Sequence, residues 1–563
     1  MTARERASAL AVLAAMAAVV LDSGLVNLGL PALASSFGLV PGRAILVVSG
    51  YQAALLASLL PSAQVAERFG ARKVFALGAS LFGAASVLAS LAPSFAILIV
   101  ARILQGLGGA AIMAIGIALL RSALGSERLG AAIAWNALTV ASCSAAGPVA
   151  GGLILSIGPW PWLFLATLPM ILLTLAAAAA LPKVPSTRAS LDLASISLHG
   201  LTVGLALTAA EAAVSRPVLA LLLGTAAAAC AALLLARQRR RQMPLLPLDL
   251  LRLAPLRTAA LASICCFAGQ SAGLLALPLY LQLSLGRGAA SAGFVLACWP
   301  LSVAATSRLA NRLAGRLGSP SLCAAGAAAL AIGLLVSALV PSGGPLWALP
   351  AAAAVSGAGF GLFQVPNNRT LFLSAPVARS AAAGGLQGSA RLTGQMIGAV
   401  TMSLLFAWLP SAVAPRAGFL LGALFAAAAA VISGRAISAV AAPLHRRTVV
   451  ERVRNGAGAT PFARIGMFDT AGCSLPALVT FFRDEVVPRY ATCEGFLGYH
   501  AFSEPRSGRY VGLSYWSSRQ ALDASDAIGL QSREGAARLG ARIVGEAMFV
   551  EQEFCFLPGQ AAS

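Results

Sequence analysis

Residues 7–30 of the chain read ASALAVLAAMAAVVLDSGLVNLGL, an apolar run with a single charged side chain, that of Asp22. A helix of this length extends about 36 Å at a rise of about 1.5 Å per residue, enough to cross the roughly 30 Å hydrocarbon core of a bilayer. Arg4 and Arg6 precede the run, as in a secretory leader, but the run continues to Pro31 and further long apolar runs follow. We therefore predict a first membrane span rather than a cleaved leader.

The composition of the whole chain is that of a membrane protein. Of its 563 residues, 58% are hydrophobic and 10% are charged, and the mean hydropathy is +0.83. These values exclude a soluble enzyme of this length. Runs of membrane-spanning length predict about fourteen spans. They lie near 7–30, 44–63, 73–92, 95–120, 129–157, 161–181, 195–214, 217–236, 256–282, 290–308, 321–341, 346–372, 381–409 and 416–440.

Basic residues are distributed unevenly. Of 40 Lys and Arg residues, 31 precede residue 456, so the formal net charge of +21 arises in the apolar part and does not indicate a nucleic-acid partner. Most lie in every second connection between predicted spans, whereas the alternate connections keep only Arg43, Arg216, Arg287 and Arg416. By the positive-inside rule, this asymmetry predicts a multi-pass protein of the cell membrane with both termini in the cytoplasm.

A short motif occurs twice. The tripeptides at 68–70 (RFG) and 316–318 (RLG) each end a predicted cytoplasmic connection, 248 residues apart. This spacing predicts two related six-helix halves, at 1–192 and 238–445, separated by two inserted helices at 193–237. The cleft between such repeats is the usual substrate site of a secondary transporter, so we expect the cargo to bind there.

Ionisable side chains inside the predicted spans are few, and each costs about 2.5 to 3.5 kcal/mol near the bilayer centre. Asp22 lies near mid-depth of the first span, with Arg102 in the fourth and Arg391 in the thirteenth, while Glu211 is expected at the interface. A carboxyl group in a low-dielectric site can exchange protons with both sides of a membrane, which makes Asp22 the candidate proton carrier. Two alternatives stay open: Asp22 only pairs with a neighbour, and Arg102 only binds helix carbonyl groups.

The connection at 63–73 reads AQVAERFGARK. It resembles the loop signature G-x-L-A-D-R-x-G-R-K of the major facilitator superfamily, with Ala63 in place of Gly, Glu67 in place of Asp and Ala71 in place of a basic residue. The resemblance implies an all-α polytopic membrane protein with 6+2+6 helices. It also implies a conformational latch in which an acid pairs with basic side chains and a helix end. The latch residues are Glu67, Arg68, Gly70 and Arg72.

Two later segments narrow the resemblance. Residues 102–110 (RILQGLGGA) are similar to R-x-x-Q-G-x-G-x-A, and residues 147–152 (GPVAGG) are similar to the antiporter signature G-P-x-x-G-G. With residues 21–27 (LDSGLVN), where Gly24 stands in the usual place of Thr, they resemble the fourteen-span drug/proton antiporters. That family implies proton-driven export of drug-like or secondary-metabolite molecules by alternating access. The coupling residues implied are Asp22, Arg102 and Asn27.

The antiporter motif also has a physical meaning of its own. Gly147 and Gly151 are four residues apart, a spacing that lets a neighbouring helix backbone approach closely. Pro148 lacks a backbone N–H and bends the helix. With Gly152, these residues predict a close helix contact. No nucleotide-binding loop of the G-x-x-x-x-G-K type occurs in the chain, so ATP is not expected to drive transport.

The composition changes after a predicted linker at 446–461. Residues 462–563 show strand and helix patterns in the order β-α-β-β-α-β, with helices near 475–490 and 520–539 and a last strand near 547–556. This order predicts a small cytoplasmic α+β domain of the ferredoxin-like type.

Two segments of this tail, GFLGY at 495–499 and YVGLSYW at 510–516, resemble the antibiotic-biosynthesis-monooxygenase-like domains. That resemblance implies a homodimer formed through the sheets. It leaves open an alternative function, an exporter fused to a cofactor-independent monooxygenase-like enzyme, with His500 and Trp516 lining a pocket. The nine cysteines have no Cys/His spacing suited to zinc, so we expect a transporter without a metal or cofactor.

Overall fold

The computed structural model describes residues 2–124, 128–182, 191–239, 247–341, 343–345, 347–375, 379–441, 462–470, 472–504, 509–544 and 548–551. The chain divides into two compact units, Met1–Ser438 and Ala439–Ser563. The predicted linker at 446–461 and residues 552–563 lie outside the described residues.

The first unit begins with six long helices. They are α1 (Ala3–Ser36), α2 (Leu46–Phe69), α3 (Ala71–Ser90), α4 (Phe95–Leu124), α5 (Leu129–Ile157) and α6 (Pro161–Ala180). A short helix, Pro41–Ala44, lies in the connection between α1 and α2. Two further helices follow, α7 (Leu193–Ser215) and α8 (Pro217–Gln238). Pro217 begins α8 at a position where its missing N–H costs nothing.

Six more helices complete this unit. They are α9 (Ala254–Leu279), α10 (Ala289–Leu317), α11 (Ser319–Leu339), α12 (Ala348–Leu373), α13 (Ser380–Trp408) and α14 (Ala414–Ala441). Thirteen helices in the described part are long and apolar enough to cross a membrane. The remaining long helix, α13, has 29 residues and carries Gln387, Arg391 and Gln395 among its apolar positions. The predicted all-helical membrane fold with 6+2+6 helices is confirmed.

Two helix pairs are joined by a single glycine. Gly70 connects α2 to α3 with a φ of 95°, and Gly318 connects α10 to α11 with a φ of 76°. A side chain with a Cβ rarely adopts a positive φ, so glycine is the residue that permits both joints. The joints lie 248 residues apart, at the positions where the sequence motif repeats.

The first six and the last six helices meet along two seams, α5 against α10 and α2 against α13. A Cβ on Gly152 would lie 2.9 Å from the Cα of Ala290, so the α5 and α10 backbones are in close contact. At the α2–α13 seam, the Ser403 hydroxyl donates to the carbonyl oxygen of Gly42 at 3.1 Å. Both contacts lie at the end that carries the α1–α2 connection, where the two halves are closed against each other.

The second unit contains a five-stranded antiparallel sheet. Its strands are β1 (Phe462–Asp469), β2 (Phe496–Glu504), β3 (Arg509–Trp516), β4 (Arg542–Ile543) and β5 (Met548–Glu551). The order is β2-β3-β1-β4, and β5 also pairs with β1. Helical segments occupy Leu475–Ala491, Arg519–Ala524 and Asp526–Arg538. The predicted small α+β fold is confirmed.

Two elements of this unit differ from their predictions. The helix predicted at 475–490 is interrupted by a π-helical turn, Phe482–Val486, because Pro488 has no N–H to donate to the preceding turn. The last strand, predicted near 547–556, is present as β5 over the described residues 548–551, and a short strand that was not predicted, β4, precedes it; both pair with β1.

Candidate functional site

Asp22 lies in the interior of the first unit and forms an ion pair. Its side chain is 0% exposed, and its Oδ2 accepts a hydrogen bond from Nη1 of Arg102 at 2.7 Å. Arg102 is itself 1% exposed. The structure therefore brings together two of the three residues predicted to couple transport to protons, from α1 and α4.

Small residues on α4 let Arg102 approach its partners. A Cβ on Gly106 would lie 2.8 Å from the Cβ of Ala54, and one on Gly108 would lie 2.7 Å from the backbone nitrogen of Phe82. Helix α4 is therefore pressed against α2 on one side and α3 on another. Arg102 precedes Gly106 by about one helical turn, so the same close packing excludes water around its guanidinium.

Arg102 is held by more than the carboxylate. Its Nε donates to the carbonyl oxygen of Val47 at 2.9 Å, and its Nη1 also donates to Oε1 of Gln105 at 2.8 Å. Nε2 of Gln105 in turn donates to Oγ of Ser86 at 2.7 Å. Four helices, α1 to α4, thus contribute to one network.

Sequence reasoning missed three members of this network, namely Gln105, Ser86 and Tyr51. The Tyr51 ring lies under the guanidinium of Arg102, with the Cζ atom 4.3 Å from the ring centroid, a cation–π contact. Only Gln105 had a signal in the sequence, because it stands three residues after Arg102, where side chains on a helix are neighbours.

The ion pair ties α1 to the packing of the other helices. It is the charged contact between α1 and Arg102, which is also bonded to Val47 and Gln105. Breaking one side of a buried pair typically costs about 3 to 5 kcal/mol. The charge on the Asp22 carboxyl group therefore contributes to the contacts between α1 and the rest of the first half.

A second group of polar atoms lies beside the pair, at the seam between the halves. The Tyr51 hydroxyl, Oε1 of Gln52 and Nε of Arg391 are buried without a hydrogen-bond partner among the described residues. Arg391 is half-buried and belongs to α13, in the second half. Its neighbour Leu392 packs in the same apolar cluster as Tyr51, whose ring contacts Arg102 of the ion pair.

Three other polar residues of the membrane helices lie apart from the pair. Asn27 is half-buried and follows Asp22 by five residues, which places it about 140° around α1. Oε1 of Glu211, in α7, lies 3.1 Å from Oγ of Ser403 in α13, within hydrogen-bond distance. On the same helix, His199 contacts the carbonyl oxygen of Leu56 at 3.3 Å. Helix α7 is thus attached to both α2 and α13.

The predicted latch residues lie together around the α2–α3 joint. Glu67 and Arg68 are exposed on the last turn of α2, Gly70 forms the joint, and Arg72 is half-buried on the first turn of α3. The Arg68 guanidinium lies 5.6 Å from the centroid of the Phe69 ring.

The antiporter helix motif forms the contact between α5 and α1. A Cβ on Gly147 would lie 3.1 Å from the Cα of Gly24, and a Cβ on Gly24 would lie 3.0 Å from Cδ of Pro148. Gly151 continues this contact along Leu25, where the corresponding distance is 3.3 Å. There is no room for a threonine at position 24, which gives a physical reason for the departure from the family pattern two residues after Asp22.

The structure does not place His500 and Trp516 in one pocket. Trp516 is 0% exposed and packs on the helix-facing side of the sheet, where β3 residues are alternately buried. His500 pairs with Leu513, so it lies on the opposite face, and it is exposed. The pairing of β2 with β3 therefore puts the two side chains, which were predicted to line one pocket, on different sides of the sheet.

Trp516 is part of the core of the second unit. Its Nε1 donates to Oγ of Ser514 at 3.0 Å. Its ring packs edge-to-face against that of Tyr490, with the ring centroids 5.4 Å apart. Burial raises the pKa of the Tyr499 hydroxyl in the same core. Within the described ranges, no group of three or more His, Cys, Asp and Glu side chains is arranged to hold a metal ion.

Comparison with known proteins identifies a matching family model and related transporters. A family model described as the Major Facilitator Superfamily matches residues 12–274. An uncharacterized transporter, YebQ of Escherichia coli strain K12, is 36% identical over 397 residues, which are 69% of this chain and 86% of YebQ. The multidrug efflux pump LfrA of Mycolicibacterium smegmatis is 30% identical over 414 residues, covering 71% of this chain and 80% of LfrA.

Among solved structures, the fold is similar to that of PepTSo, a transporter of the POT family. The TM-score is 0.59 at 15% sequence identity, over 77% of this chain and 98% of PepTSo. This likeness concerns the fold alone. The helix arrangement, the family model and the extent of the match to YebQ agree, and the chain belongs to the Major Facilitator Superfamily.

Proposed function

We propose that this membrane transporter exports a drug-like or secondary-metabolite molecule in exchange for protons, by alternating access. The observation that carries the proposal is the ion pair between Asp22 of α1 and Arg102 of α4, which is buried in the interior and connected to α2 and α3 by hydrogen bonds. The 30% identity to LfrA, named a multidrug efflux pump, favours export as the direction.

In this mechanism, protonation of the ion pair and movement of the cargo are coupled steps of one cycle. Protonation of Asp22 from outside releases Arg102, and the halves move about the two seams as the cargo leaves. One proton entering down a potential of about 100 mV supplies about 2.3 kcal/mol, and each pH unit adds about 1.4 kcal/mol. These amounts suffice to maintain a concentration gradient of the cargo.

The proposed orientation places both chain termini in the cytoplasm. The end that carries the α1–α2 connection is then external, and its closed seams correspond to a state shut toward the outside. In that orientation, the joint at Gly70 is cytoplasmic, where Glu67, Arg68 and Arg72 act as the latch of the outward-facing state. The domain boundaries at 192, 237 and 445 follow the same proposal.

For the second unit we propose a role in assembly, as a homodimer. The sheet face that carries His500 also carries Phe502, which is 57% exposed. A second copy of this sheet would cover that apolar side chain. His500 and Trp516 lie on opposite faces of the sheet, so the structure gives no support to a pocket lined by both, and we favour assembly over the alternative, a monooxygenase-like enzyme.

The test uses purified protein in proteoliposomes with an imposed pH gradient. Cargo is first identified from the accumulation profile of cells with and without the gene. Asp22→Asn should then abolish proton-driven movement of that cargo while the protein remains in the membrane. Asp192→Asn, which alters a carboxylate at the start of α7 outside the pair, serves as the matched control and should retain transport. Full activity of Asp22→Asn under the gradient would refute proton coupling at this site.

A further inference from the structure

Arg391 is a half-buried cation that the described residues leave without a counter-ion. Its Nε is itself buried and has no hydrogen-bond partner among the described residues. Asp22 is paired with Arg102, and Glu211 lies against the Ser403 hydroxyl. Neither of these carboxylates is therefore a partner of Arg391.

Tyr51 offers a second unpartnered group to the same space. Its side chain is 3% exposed, and its hydroxyl has no hydrogen-bond partner among the described residues. The hydroxyl comes from α2, in the first half, whereas Arg391 comes from α13, in the second. A ligand that met both groups would therefore bridge the two halves.

The position of Arg391 on α13 places it at the cleft. Gly388 and Leu392 lie on the side of α13 that packs on α2, since a Cβ on Gly388 would be 2.7 Å from Cδ2 of Leu59. Gly394 lies on the side that packs on α9, where a Cβ would be 2.8 Å from Cβ of Phe267. On a helix of 3.6 residues per turn, Arg391 falls between these two sides.

We infer that Arg391 and the Tyr51 hydroxyl form a binding site for a carboxylate or similar anionic group of the cargo, so that the exported molecule is an organic anion. This inference rests on the proposed export function. A guanidinium presents paired N–H donors that match the two oxygens of a carboxylate. An anionic cargo supplies the missing counter-charge, whereas a cationic cargo would add a second uncompensated charge.

The same geometry connects the cargo to the proton site. The centroid of the Tyr51 ring lies 4.3 Å from Cζ of Arg102, and Leu392, the neighbour of Arg391 in α13, packs in the same apolar cluster as Tyr51. One side chain therefore contacts the ion pair with its ring and the cargo with its hydroxyl. Tyr51 is a positioning residue for coupling as well as a ligand-binding residue.

Equilibrium binding to the full-length purified protein in detergent tests the inference. The probes are matched sets that share one aromatic ring system, such as naphthoate, naphthamide and naphthylmethylammonium. We expect the carboxylate of a set to bind about tenfold more tightly than its amide, or better. Arg391→Met should remove this preference, Arg391→Lys should keep part of it, and Tyr51→Phe should weaken carboxylate binding less than Arg391→Met does.

Arg416→Met is the matched control. Its guanidinium is already bonded to the Tyr280 hydroxyl and to the carbonyl oxygen of Val340, so the carboxylate preference should survive. Preference of the wild type for the amide or the ammonium, absence of carboxylate binding across the panel, or an unchanged preference in Arg391→Met would overturn the inference. Because binding is measured without a gradient, a failure of proton coupling leaves this result standing. If the protein exported a cation in exchange for protons, the inference that the cargo is an organic anion would be wrong, and the proposed export function would stand.

Discussion

Arg102 in the first half and Arg391 in the second are both arginines placed inside the helix bundle, and their surroundings differ. The guanidinium of Arg102 binds a carboxylate, a backbone carbonyl and an amide, whereas Nε of Arg391 has no partner among the described residues. The two halves nevertheless share a glycine joint, at Gly70 and Gly318. The helix arrangement is repeated in the two halves, but the surroundings of their interior arginines differ, and this difference is the basis for proposing that one half binds the proton and the other the cargo.

The largest effect is expected when the pair of the first half is broken on one side. Arg102→Met leaves the Asp22 carboxylate buried without its cation and should destabilise the protein by about 3 to 5 kcal/mol. The measurement is the unfolding free energy of purified protein in detergent. The double variant Asp22→Asn with Arg102→Met should recover part of the loss, because both partners are then neutral. A double variant as unstable as the single one would contradict the pairing.

A smaller effect is expected at the helix contact beside the pair. Gly24→Thr would place a branched side chain against Gly147 and Pro148, and such overpacking costs about 1 to 3 kcal/mol. Gly204→Thr on α7 is the control, since nothing lies within 4 Å of a Cβ there. Thermal unfolding should separate the two variants, and equal midpoints would show that α1 and α5 are not in close contact.

The two glycine joints allow a direct comparison of the halves. Gly70→Ala and Gly318→Ala each place a Cβ on a residue with positive φ, at a cost of about 1 to 2 kcal/mol. The two losses in unfolding free energy should be similar, because the backbone geometry is shared. If only one of the two variants lost stability, the joints would share a sequence motif but would not share the backbone strain.

The smallest effect concerns a half-buried pair near the surface, Asp192 with Arg237, which contrasts with the fully buried pair. Nη2 of Arg237 lies 2.9 Å from Oδ1 of Asp192, with side chains 37% and 18% exposed. Burial would raise the pKa of Asp192, but hydrogen bonds from Arg237 and Ser195 outweigh it and lower the pKa from 3.8 to about 2. Exposed pairs contribute at most about 1 kcal/mol.

The pH dependence of this pair has a definite sign. The folded protein binds the Asp192 proton less tightly than the unfolded chain does, so the contribution to stability is full above about pH 4 and is lost as the pH falls through about 2. The difference in unfolding free energy between wild type and Asp192→Asn should therefore shrink between pH 5 and about pH 2. A difference that did not change with pH would show that the pair contributes nothing electrostatic.

Much of the membrane fold could be predicted because hydropathy is a local property. Each long helix of the first unit follows from an apolar run of spanning length. The joint at Gly70 follows from a glycine at the end of such a run. The partnership of Asp22 with Arg102 could not be predicted, since the two residues are 80 positions apart. Nothing local distinguishes a paired buried arginine from an unpaired one, so Arg391 looked the same as Arg102.

The second unit shows how strand pairing limits what can be predicted from the sequence about side-chain positions. Alternation along β3 was visible in the sequence, but the face on which His500 lies depends on how β2 pairs with it. The register shifts between Phe496 and Gly498, where the ladder is irregular. A shift of one residue moves every later side chain to the other face, and no pattern within β2 announces it.

The amino-acid sequence by itself determined that the chain crosses a membrane many times, that its helices form two sets with a small α+β unit after them, and that few charges lie within the bundle. These are consequences of local composition and spacing. Only the tertiary structure decided which of those charges neutralise each other, because an ion pair requires atoms from different helices to meet within about 4 Å. That meeting assigns Asp22 a partner and leaves Arg391 without one.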